Sequence, residues 1–331
     1  MKIAVLGSGG WGTALPLLLL ENGHKVLLWS SHARKADLLR QSRKNPMLEG
    51  VMLPENLIFT SEMAKVGQAD MVVCAVPSFA VRETARMLAA VIAPGAVVVS
   101  VSKGFEKESA LRLSQVIAQE MNNPVAVLCG PSHAEEVARR IPTACVAASG
   151  SRELAELVQD TFMNRNFRVY TSSDVVGVEL AAALKNIIAL CCGICDGMGY
   201  GDNTKAMLMT RGLVEISRLG VVLGGKKETF GGLAGVGDLI VTCTSMHSRN
   251  RRAGILIGQG IPVMEAMSQI NAVVEGYYAA QNAWHLAKRA GVEMPISDAA
   301  YQVLYHGKDV HTAIQELMNR SKKHETEETW I

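Results

Sequence analysis

The sequence predicts an α/β fold in which a doubly wound parallel sheet forms the N-terminal domain and an all-helical domain follows. Over the first half of the chain, short apolar runs alternate with helical stretches, which is typical of a parallel sheet covered on both faces. The first of these runs leads into a glycine-rich turn. Near Asp174 the alternation stops, and helical periodicity continues to about Asn319.

The chain begins with a strand, a turn and a helix. Residues 2–6 read as a buried strand. Three glycines follow it: Gly7, Gly9 and Gly12. In such a GxGxxG motif the first glycine permits a tight turn, the second lets the backbone approach a diphosphate, and the third lets the helix pack on the strand. A bare motif is as often structural, but a helix over about residues 10–22, capped by Gly23, and a second strand over 25–29 favour a dinucleotide site of the Rossmann type.

Five more strands are predicted after the first. They run from Lys25 to Trp29, Asp70 to Val76, Ala96 to Val101, Val125 to Cys129 and Thr143 to Ala148. Turn residues mark strand ends at Pro77-Ser78, Lys103-Gly104 and Gly130-Pro131-Ser132. Because ligands of such sheets bind outside the carboxyl ends of the strands, we expect these loops to line the site.

Glycine and proline breaks divide the second half of the chain into helices. They fall at Gly197 to Gly201, Gly224-Gly225, Gly231 to Gly237, Pro262 and Pro295. We therefore predict a dinucleotide-binding domain over residues 1–173, an all-helical substrate and catalytic domain over 174–320, and a flexible tail over 321–331. A cleft between the two domains is the expected substrate site.

The composition describes a compact globular chain. Its 331 residues are 49% hydrophobic and 19% charged, and a formal net charge of +2 gives no reason to expect a nucleic-acid partner. The N-terminus lacks the pattern of a secretion signal, and the apolar stretches carry charges too often to span a bilayer, so we expect a cytoplasmic protein without membrane insertion. The sequence gives no oligomeric state; a homodimer, the commonest assembly, fits this architecture.

The cysteines suit reduced thiols in the core. There are seven, an odd number, and they lie mostly in apolar runs. Cys192 and Cys195 form a CxxC, but it lies inside a helical pattern without a second pair of ligands. We therefore predict no metal site.

The end of the second strand bears on the choice between NAD and NADP. An enzyme that selects NAD usually places a carboxylate there, whereas a 2′-phosphate favours small polar or basic residues. Here Ser31 follows the strand, and Arg34 and Lys35 come shortly after it. NADP is therefore expected to be preferred, with NAD also admitted, although the two cations are equally compatible with the solvated face of the next helix.

A lysine stands out in the first helix of the second half. Lys185 and Asn186 lie in a stretch too hydrophobic for a surface helix. Burial lowers the pKa of a lysine toward the working range of a proton donor, and reduction of a carbonyl by a nicotinamide needs such a donor. From this helix alone, an equal alternative is a lysine whose side chain extends to the surface, where a carboxylate could pair with it.

Two later segments carry further polar residues. Asp238 follows a glycine-rich turn and precedes an apolar helix, where a helix cap is the default interpretation and a site residue the alternative. Ser248, Arg249 and Asn250 lie at or near a helix start, where hydroxyl, guanidinium, amide and backbone N–H groups can bind a phosphomonoester. Without that context, an arginine cluster is more often an exposed basic turn.

Taken together, the motifs resemble the bacterial-type NAD(P)-dependent glycerol-3-phosphate dehydrogenase family over nearly the whole chain. The resemblance rests on GSGGWGTAL at Gly7, SKGFE at Ser102, CGPSHAEE at Cys129, LKNIIAL at Leu184, AGVGDLIVTCTSMHSRNRR at Ala234 and VVEGYYAA at Val273, in the family's order and approximate spacing. It implies NAD(P)H-dependent, reversible reduction of dihydroxyacetone phosphate to sn-glycerol 3-phosphate, at the entry to phospholipid biosynthesis.

The resemblance also implies roles for individual residues. By matching position, Lys185 resembles the catalytic proton donor and acceptor. Substrate contacts are implied for Lys103, Gly130, Ser132, Lys185, Asp238, Ser248, Arg249 and Asn250. Cofactor contacts are implied for Gly7, Gly9, Gly10, Trp11, Gly12, Ser31, Lys103, Ala134, Arg249, Val273 and Glu275. Read without the family, Lys103 is a loop cation, Ser132 a helix cap and Glu275 a helix start.

Some positions depart from common family forms, and two rival functions remain open. Ser132-His133 replaces the usual Thr or Ser followed by Phe or His, and Ser31 stands where basic residues or histidine often occur. One rival is a 6-phosphogluconate or hydroxyacid dehydrogenase relative, which the Ser-Arg-Asn-Arg segment disfavours. The other is a non-catalytic NAD(P)H sensor, in which a buried Lys185 would have no task.

Overall fold

The computed structural model describes residues 1–270, 272–322 and 324–325. Its strands are β1 (Lys2–Leu6), β2 (Lys25–Trp29), β3 (Ile58–Thr60), β4 (Met71–Cys74), β5 (Val97–Ser100), β6 (Val125–Cys129), β7 (Thr143–Ala148) and β8 (Phe167–Ser172). The helices of the sheet portion are α1 (Gly10–Glu21), α2 (Ala33–Ser42), α3 (Met63–Val66), α4 (Val81–Ala89), α5 (Leu113–Glu120), α6 (Ala134–Ala138) and α7 (Arg152–Phe162).

The remainder of the described chain is helical. Its helices are α8 (Val175–Gly197), α9 (Asp202–Val222), α10 (Lys227–Phe230), α11 (Asp238–Thr244), α12 (Arg249–Gly258), α13 (Val263–Gln269), α14 (Glu275–Ala290), α15 (Pro295–His306) and α16 (Val310–Met318). A single π-helical turn over 233–237 leads directly into α11, where the sequence predicts a simple glycine-rich break. The predicted tail begins in the described part, but residues 323 and 326–331 lie outside it.

The eight strands form one sheet in the order β3-β2-β1-β4-β5-β6-β7-β8. The strands from β3 to β6 are mutually parallel, as predicted, and helices cover both faces. The pairing of β6 with β7 is antiparallel, so β7 and β8 run against the rest and the sheet is mostly rather than wholly parallel. The strand order reverses between β1 and β4, which places a ligand crevice beyond their carboxyl ends.

The central strands were predicted because they are buried on both faces and therefore read as continuous apolar runs. β4 and β5 are buried at every position. The sequence analysis missed β3 and β8, which lie at the two edges of the sheet. β3 has three residues, and β8 alternates buried Phe167 and Val169 with exposed Arg168 and Tyr170. Alternation of apolar and polar residues is the usual signal of a half-buried strand, so this sequence pattern could have identified β8.

The helical portion is organised around α8, which packs against α9, α11, α12 and α14. Asp174 caps the N-terminus of α8 by accepting a hydrogen bond from the N–H of Gly177. By length and composition α8 is apolar enough to cross a membrane, but 83% of its most apolar window is buried inside the protein. It is the central helix of the hydrophobic core of the helical portion, which is distinct from the two cores on the faces of the sheet. A smaller apolar cluster that includes Val178 and Ala182 joins α8 to β6 and β7.

Glycines bring α8 and α12 into backbone contact. A Cβ at Gly193 would lie 2.1 Å from the carbonyl oxygen of Arg251, and one at Gly254 would lie 2.1 Å from that of Leu190. Gly258 approaches Ile194 O in the same way. Because no side chain fits between the two helices, the start of α12 lies close to the middle of α8.

Candidate active site

The glycine-rich turn after β1 lies at the carboxyl edge of the sheet. Gly7 has φ +107° and its Cβ would lie 2.6 Å from the carbonyl oxygen of Ala75, so only glycine fits. A Cβ at Gly12 would lie 1.9 Å from the Gly7 carbonyl oxygen. At Gly9, by contrast, a Cβ would meet nothing within 4 Å, so the outer side of the turn is open.

This turn has the features that a dinucleotide diphosphate requires. Among the described residues, no side chain caps the N-terminus of α1, and the first N–H bonded within the helix is that of Thr13, to Gly9 O. The N–H groups of Gly10, Trp11 and Gly12 are the ones that an anion could use. The turn is fixed from behind by buried Asn45, whose Nδ2 donates to Ser8 O at 3.2 Å and to Thr13 Oγ1 at 2.6 Å. The residues of this turn therefore fit the diphosphate of a dinucleotide. Asn45, which holds the turn in place, was not identified by the sequence analysis.

The centre of the cleft is a carboxylate between two ammonium groups. Asp238, the first residue of α11, is 1% exposed. Its Oδ2 lies 2.7 Å from Lys103 Nζ and its Oδ1 lies 2.9 Å from Lys185 Nζ. Lys103 comes from the loop after β5 and also donates to Gly130 O, at 2.9 Å, in the loop after β6. The carboxylate is therefore not a helix cap, and the centre joins the sheet to α8 and α11.

Lys185 is buried, so the alternative of a lysine that reaches the surface is wrong. The residue is 4% exposed, and its Nζ donates to Thr242 Oγ1 at 2.5 Å. Thr242 in turn donates to Asp238 O at 2.6 Å. The sequence analysis did not single out Thr242, although its position four residues after Asp238 places both on one face of α11.

The two ammonium groups and the carboxylate shift one another's pKa values. Burial lowers the pKa of Lys185 to about 8, since attraction to Asp238 only partly offsets the desolvation and the repulsion from Lys103. For Lys103 burial is again the largest influence and opposes the charge, but the attraction and hydrogen bond to Asp238 and the nearby thiols together outweigh it, so the pKa is raised. Burial opposes ionisation of Asp238 as well, but the two ammonium groups hold the pKa of this carboxyl below its usual value.

The start of α12 presents polar groups to the same cleft. Ser248 is the N-cap of this helix, and its Oγ accepts from Arg251 N at 3.2 Å, which leaves the hydroxyl proton free to donate. The Arg249 side chain is exposed, and among the described residues it makes no hydrogen bond or ion pair, although Glu135 and Glu275 lie within electrostatic range. A free guanidinium beside a free hydroxyl suits an anionic substrate group.

Asn250 is more constrained than the sequence indicates. It is buried, its Nδ2 donates to Asn186 Oδ1 at 2.9 Å, and its Oδ1 accepts from Gly276 N at 2.8 Å. These bonds connect α12 with α8 and α14. One proton of the amide is left for a ligand.

Glu275, at the start of α14, links the helical portion to the sheet portion. Its Oε2 accepts from Ser78 Oγ at 2.8 Å and its Oε1 from Ser78 N at 3.3 Å, in the loop after β4. Burial raises the pKa of Glu275. Ser78 is a partner that the sequence analysis named only as a turn residue.

Comparison with known proteins bears on what this arrangement does. A family model described as the N-terminus of NAD-dependent glycerol-3-phosphate dehydrogenase matches residues 2–155, and the model of the C-terminus of the same family matches residues 174–315. The chain belongs to the NAD-dependent glycerol-3-phosphate dehydrogenase family. The resemblance inferred from six sequence motifs is thereby confirmed.

Relatives of this glycerol-3-phosphate dehydrogenase family member are similar over the whole chain. A glycerol-3-phosphate dehydrogenase (NAD(P)+) of Moorella thermoacetica is 54% identical over 328 residues, which cover 98% of this chain and 98% of that protein. The protein of the same name from Desulfitobacterium hafniense is 51% identical, covering 99% of this chain and 94% of the other. The crystal structure of glycerol-3-phosphate dehydrogenase from Coxiella burnetii, 38% identical, has a TM-score of 0.93 and covers 96% of this chain and 99% of its own.

The structure distributes the remaining predicted site residues of this family member around the crevice. Trp11 lies in the first turn of α1, and Ala134 begins α6, where its Cβ is 3.5 Å from the Cβ position of Gly10. Ser132 is not a helix cap, because α6 begins after His133 and the Ser132 hydroxyl donates to Gly130 O. Ser31 is exposed after β2, and Val273 lies two residues before the start of α14.

No metal is needed to account for these contacts. Within the described ranges, no group of three or more His, Cys, Asp or Glu residues is arranged to hold a metal ion. Cys192 and Cys195 are buried free thiols on α8.

Proposed function

We propose that this chain catalyses the reversible NAD(P)H-dependent reduction of dihydroxyacetone phosphate to sn-glycerol 3-phosphate, with Lys185 as the proton donor. The observation that carries the proposal is the buried Lys185 ammonium, fixed by Asp238 and Thr242 at the crevice beyond the sheet. An ammonium whose pKa is lowered to about 8 is largely charged near pH 7 and still acidic enough to give up its proton.

The mechanism assigns different tasks to the two lysines. The nicotinamide, when bound, supplies hydride to the C2 carbonyl carbon. Lys185 polarises the carbonyl oxygen and protonates it as negative charge develops there. Lys103, with its raised pKa, remains charged and holds substrate oxygens together with Gly130 and Ser132. Asp238 fixes both ammonium groups and balances one of their charges.

The substrate phosphate is assigned to the start of α12. Ser248, Arg249 and Asn250 offer a hydroxyl, a guanidinium and one amide proton on adjacent residues, and the Arg249 guanidinium is free to make a bidentate contact. Arg249 also lies in range of Glu275, which is assigned to the cofactor, so it can contact both ligands.

The cofactor is assigned to the glycine turn and the crevice above it. The contacts are Gly7, Gly9, Gly10, Trp11, Gly12, Ser31, Lys103, Ala134, Arg249, Val273 and Glu275. NADP is the preferred form, because exposed Ser31 and the nearby Arg34 carry no negative charge where NAD-selective enzymes place one. We expect kcat/KM for NADPH to exceed that for NADH, and Arg34→Ala to reduce the ratio; a higher value for NADH would overturn the preference.

Replacement of the proton donor tests the function. Lys185→Met preserves the length and much of the volume of the buried chain but removes the proton. We expect turnover with dihydroxyacetone phosphate and NADPH, followed at 340 nm, to fall by about two to four orders of magnitude.

Binding of NADPH to the Lys185→Met variant, followed by fluorescence, should be retained, since no cofactor contact is assigned to this residue. Near-normal turnover would refute the assignment of Lys185. A wild-type protein that oxidises no NADPH with dihydroxyacetone phosphate would refute the function itself.

The proposal extends to the pathway, the compartment and the assembly. We assign the product to phospholipid biosynthesis, the chain to the cytoplasm, and the assembly to a homodimer, which light scattering of the purified protein would test. The domain boundaries we propose are residues 1–173 and 174–320; the cap of α8 at Asp174 supports them.

A further inference from the structure

Two histidines lie together beside the proposed substrate site. The ring centroids of His133 and His247 are 5.7 Å apart, with planes inclined by 55°. His133 directly follows Ser132, in the loop after β6, and His247 directly precedes Ser248, the cap of α12. The two rings therefore connect the two segments to which substrate contacts are assigned, although neither ring has a task in the mechanism above.

A hydrogen bond made by His133 determines which of its two ring nitrogens carries the proton. Its Nε2 lies 3.4 Å from the carbonyl oxygen of Val241, on the helix that carries Asp238 and Thr242. A carbonyl oxygen only accepts hydrogen bonds, so Nε2 carries a proton, and Nδ1 of the neutral ring is bare. Among the described residues Nδ1 has no hydrogen-bond partner, and His133 does not cap α6 through its side chain.

The charges around His133 are predominantly positive. The charges that act on it are those of Lys103 after β5, Lys185 on α8 and Glu135 on α6, and the ring of His247 lies against it. Behind these groups, Asp238 on α11 pairs with both lysines, and Arg249 on α12 is within electrostatic range of Glu135. On α1, Glu21 pairs with Arg140, which lies two residues after the end of α6. Burial and then the two lysines lower the pKa of His133, so the ring is neutral in the free protein near pH 7.

We infer that His133 and His247 complete the binding site for the phosphate group of the substrate, and that His133 takes up one proton at Nδ1 when this dianion binds. The inference rests on the proposed function. A bare Nδ1 would repel a phosphate oxygen, whereas a protonated Nδ1 donates a charge-assisted hydrogen bond to it. The proton comes from solvent, and no covalent bond forms or breaks. His247, which is exposed, adds a second donor from the opposite segment.

Sulfate is a suitable probe because it remains a dianion throughout the pH range of the test, whereas a phosphate ester itself titrates near pH 6. If binding requires one proton, the inhibition constant of sulfate against dihydroxyacetone phosphate rises by up to about tenfold per pH unit. The range between about pH 6 and pH 7.5 lies below the pKa of about 8 of Lys185, so that group stays protonated.

His133→Phe is the main variant, because it keeps a flat ring for packing but has no nitrogen. We expect the KM for dihydroxyacetone phosphate and the inhibition constant of sulfate to rise about tenfold near pH 6.5, with kcat within about threefold. The pH dependence of sulfate inhibition should become flat. His247→Gln should raise both constants by a smaller factor. His311→Gln, an exposed histidine on α16 away from the site, is the matched control and should behave as wild type.

Two outcomes would overturn the inference. One is sulfate inhibition in His133→Phe with the wild-type constant and the wild-type pH dependence. The other is an equal weakening of NADPH binding, measured by fluorescence without substrate, which would indicate a general disturbance of the cleft. Both differ from failure of the proposed function, in which the wild-type protein itself would not reduce dihydroxyacetone phosphate.

Discussion

At the scale of single residues, the lysine pair shows how position decides chemistry. Lys103 and Lys185 share the carboxylate of Asp238, yet their pKa values move in opposite directions. The side chain of Lys103 is 21% exposed and that of Lys185 only 5%. Burial is the largest single influence on the pKa of both lysines. At Lys185 it prevails, whereas at Lys103 the attraction and hydrogen bond to Asp238, together with the nearby thiols, outweigh it. One lysine is suited to release a proton and the other to stay charged.

The pKa of Lys185 predicts opposite pH profiles for the two directions of the reaction. Reduction needs the charged ammonium, so its kcat should fall as pH rises through about 8. Oxidation of glycerol 3-phosphate needs the neutral amine, so its kcat should rise through the same pH. Stopped-flow rates of NADPH consumption and formation between about pH 6 and pH 10 give both midpoints.

The variant Asp238→Asn tests whether these midpoints belong to Lys185. Loss of the carboxylate removes the attraction that favours the charged form of Lys185, so both midpoints should move to lower pH. Midpoints that stay in place would show that another group titrates.

At the scale of elements, the glycine contact between α8 and α12 places the phosphate segment against the catalytic helix. Gly193, Gly254 and Gly258 each meet a backbone carbonyl carbon or oxygen of the other helix at distances that exclude a Cβ. This close packing brings Asn250 within hydrogen-bond distance of Asn186, the neighbour of Lys185. The sequence analysis identified both polar segments but not the glycines that join them, because spacing within one helix does not reveal which helix it packs against.

Gly254→Ala should therefore displace α12. The new Cβ would lie 2.1 Å from Leu190 O, a backbone atom that cannot move alone, so the free energy of unfolding should fall by about 1–3 kcal/mol. The KM for dihydroxyacetone phosphate should rise as well, because Arg249 moves with the helix. Denaturant unfolding and steady-state kinetics measure the two effects.

Gly95→Ala is the matched control for this substitution. A Cβ at Gly95 meets nothing within 4 Å, and its φ is not positive, so stability and KM should stay close to wild type. Wild-type stability in Gly254→Ala as well would mean that the two helices are not held at this separation.

At the scale of the whole molecule, a buried ion pair connects the sheet portion with the helical portion. Glu179 on α8 accepts from Arg112 Nη1 at 2.6 Å, and also from the N–H and the hydroxyl of Ser114, at the start of α5. The side chains of Glu179 and Arg112 are 5% and 17% exposed. A small apolar cluster that includes Val127, Ala148 and Ala182 also joins the sheet to α8. This ion pair and the contact of Glu275 with Ser78 add polar links between the two portions.

Replacing one partner of this ion pair should lower the free energy of unfolding more than replacing both partners. Arg112→Met leaves Glu179 buried with only Ser114 as partner, and the free energy of unfolding should fall by about 2–4 kcal/mol. Adding Glu179→Met should restore part of that loss, since the unpaired charge is then gone. Calorimetry of the two single variants and the double variant measures the coupling.

Arg152→Met provides the control on the surface. Arg152 pairs with Glu156 on α7, but their side chains are 84% and 44% exposed, so the change should leave the free energy of unfolding close to wild type. Losses for Arg112→Met and Glu179→Met that simply add in the double variant would contradict a link through the ion pair.

Local sequence predicted the doubly wound sheet, the glycine-rich turn at Gly7, the start of the helical half near Asp174 and the family, because periodicity, turn chemistry and motif order are properties of neighbouring residues. The packed tertiary structure was needed to show that Asp238 is shared by two lysines, that Asn250 bonds to Asn186 and Gly276, and that the rings of His133 and His247 lie together. It also decided the edge strands and the reversed direction of β7. These features depend on desolvation and on contacts between groups far apart in the chain, and both arise only once the sheet and the helices pack together.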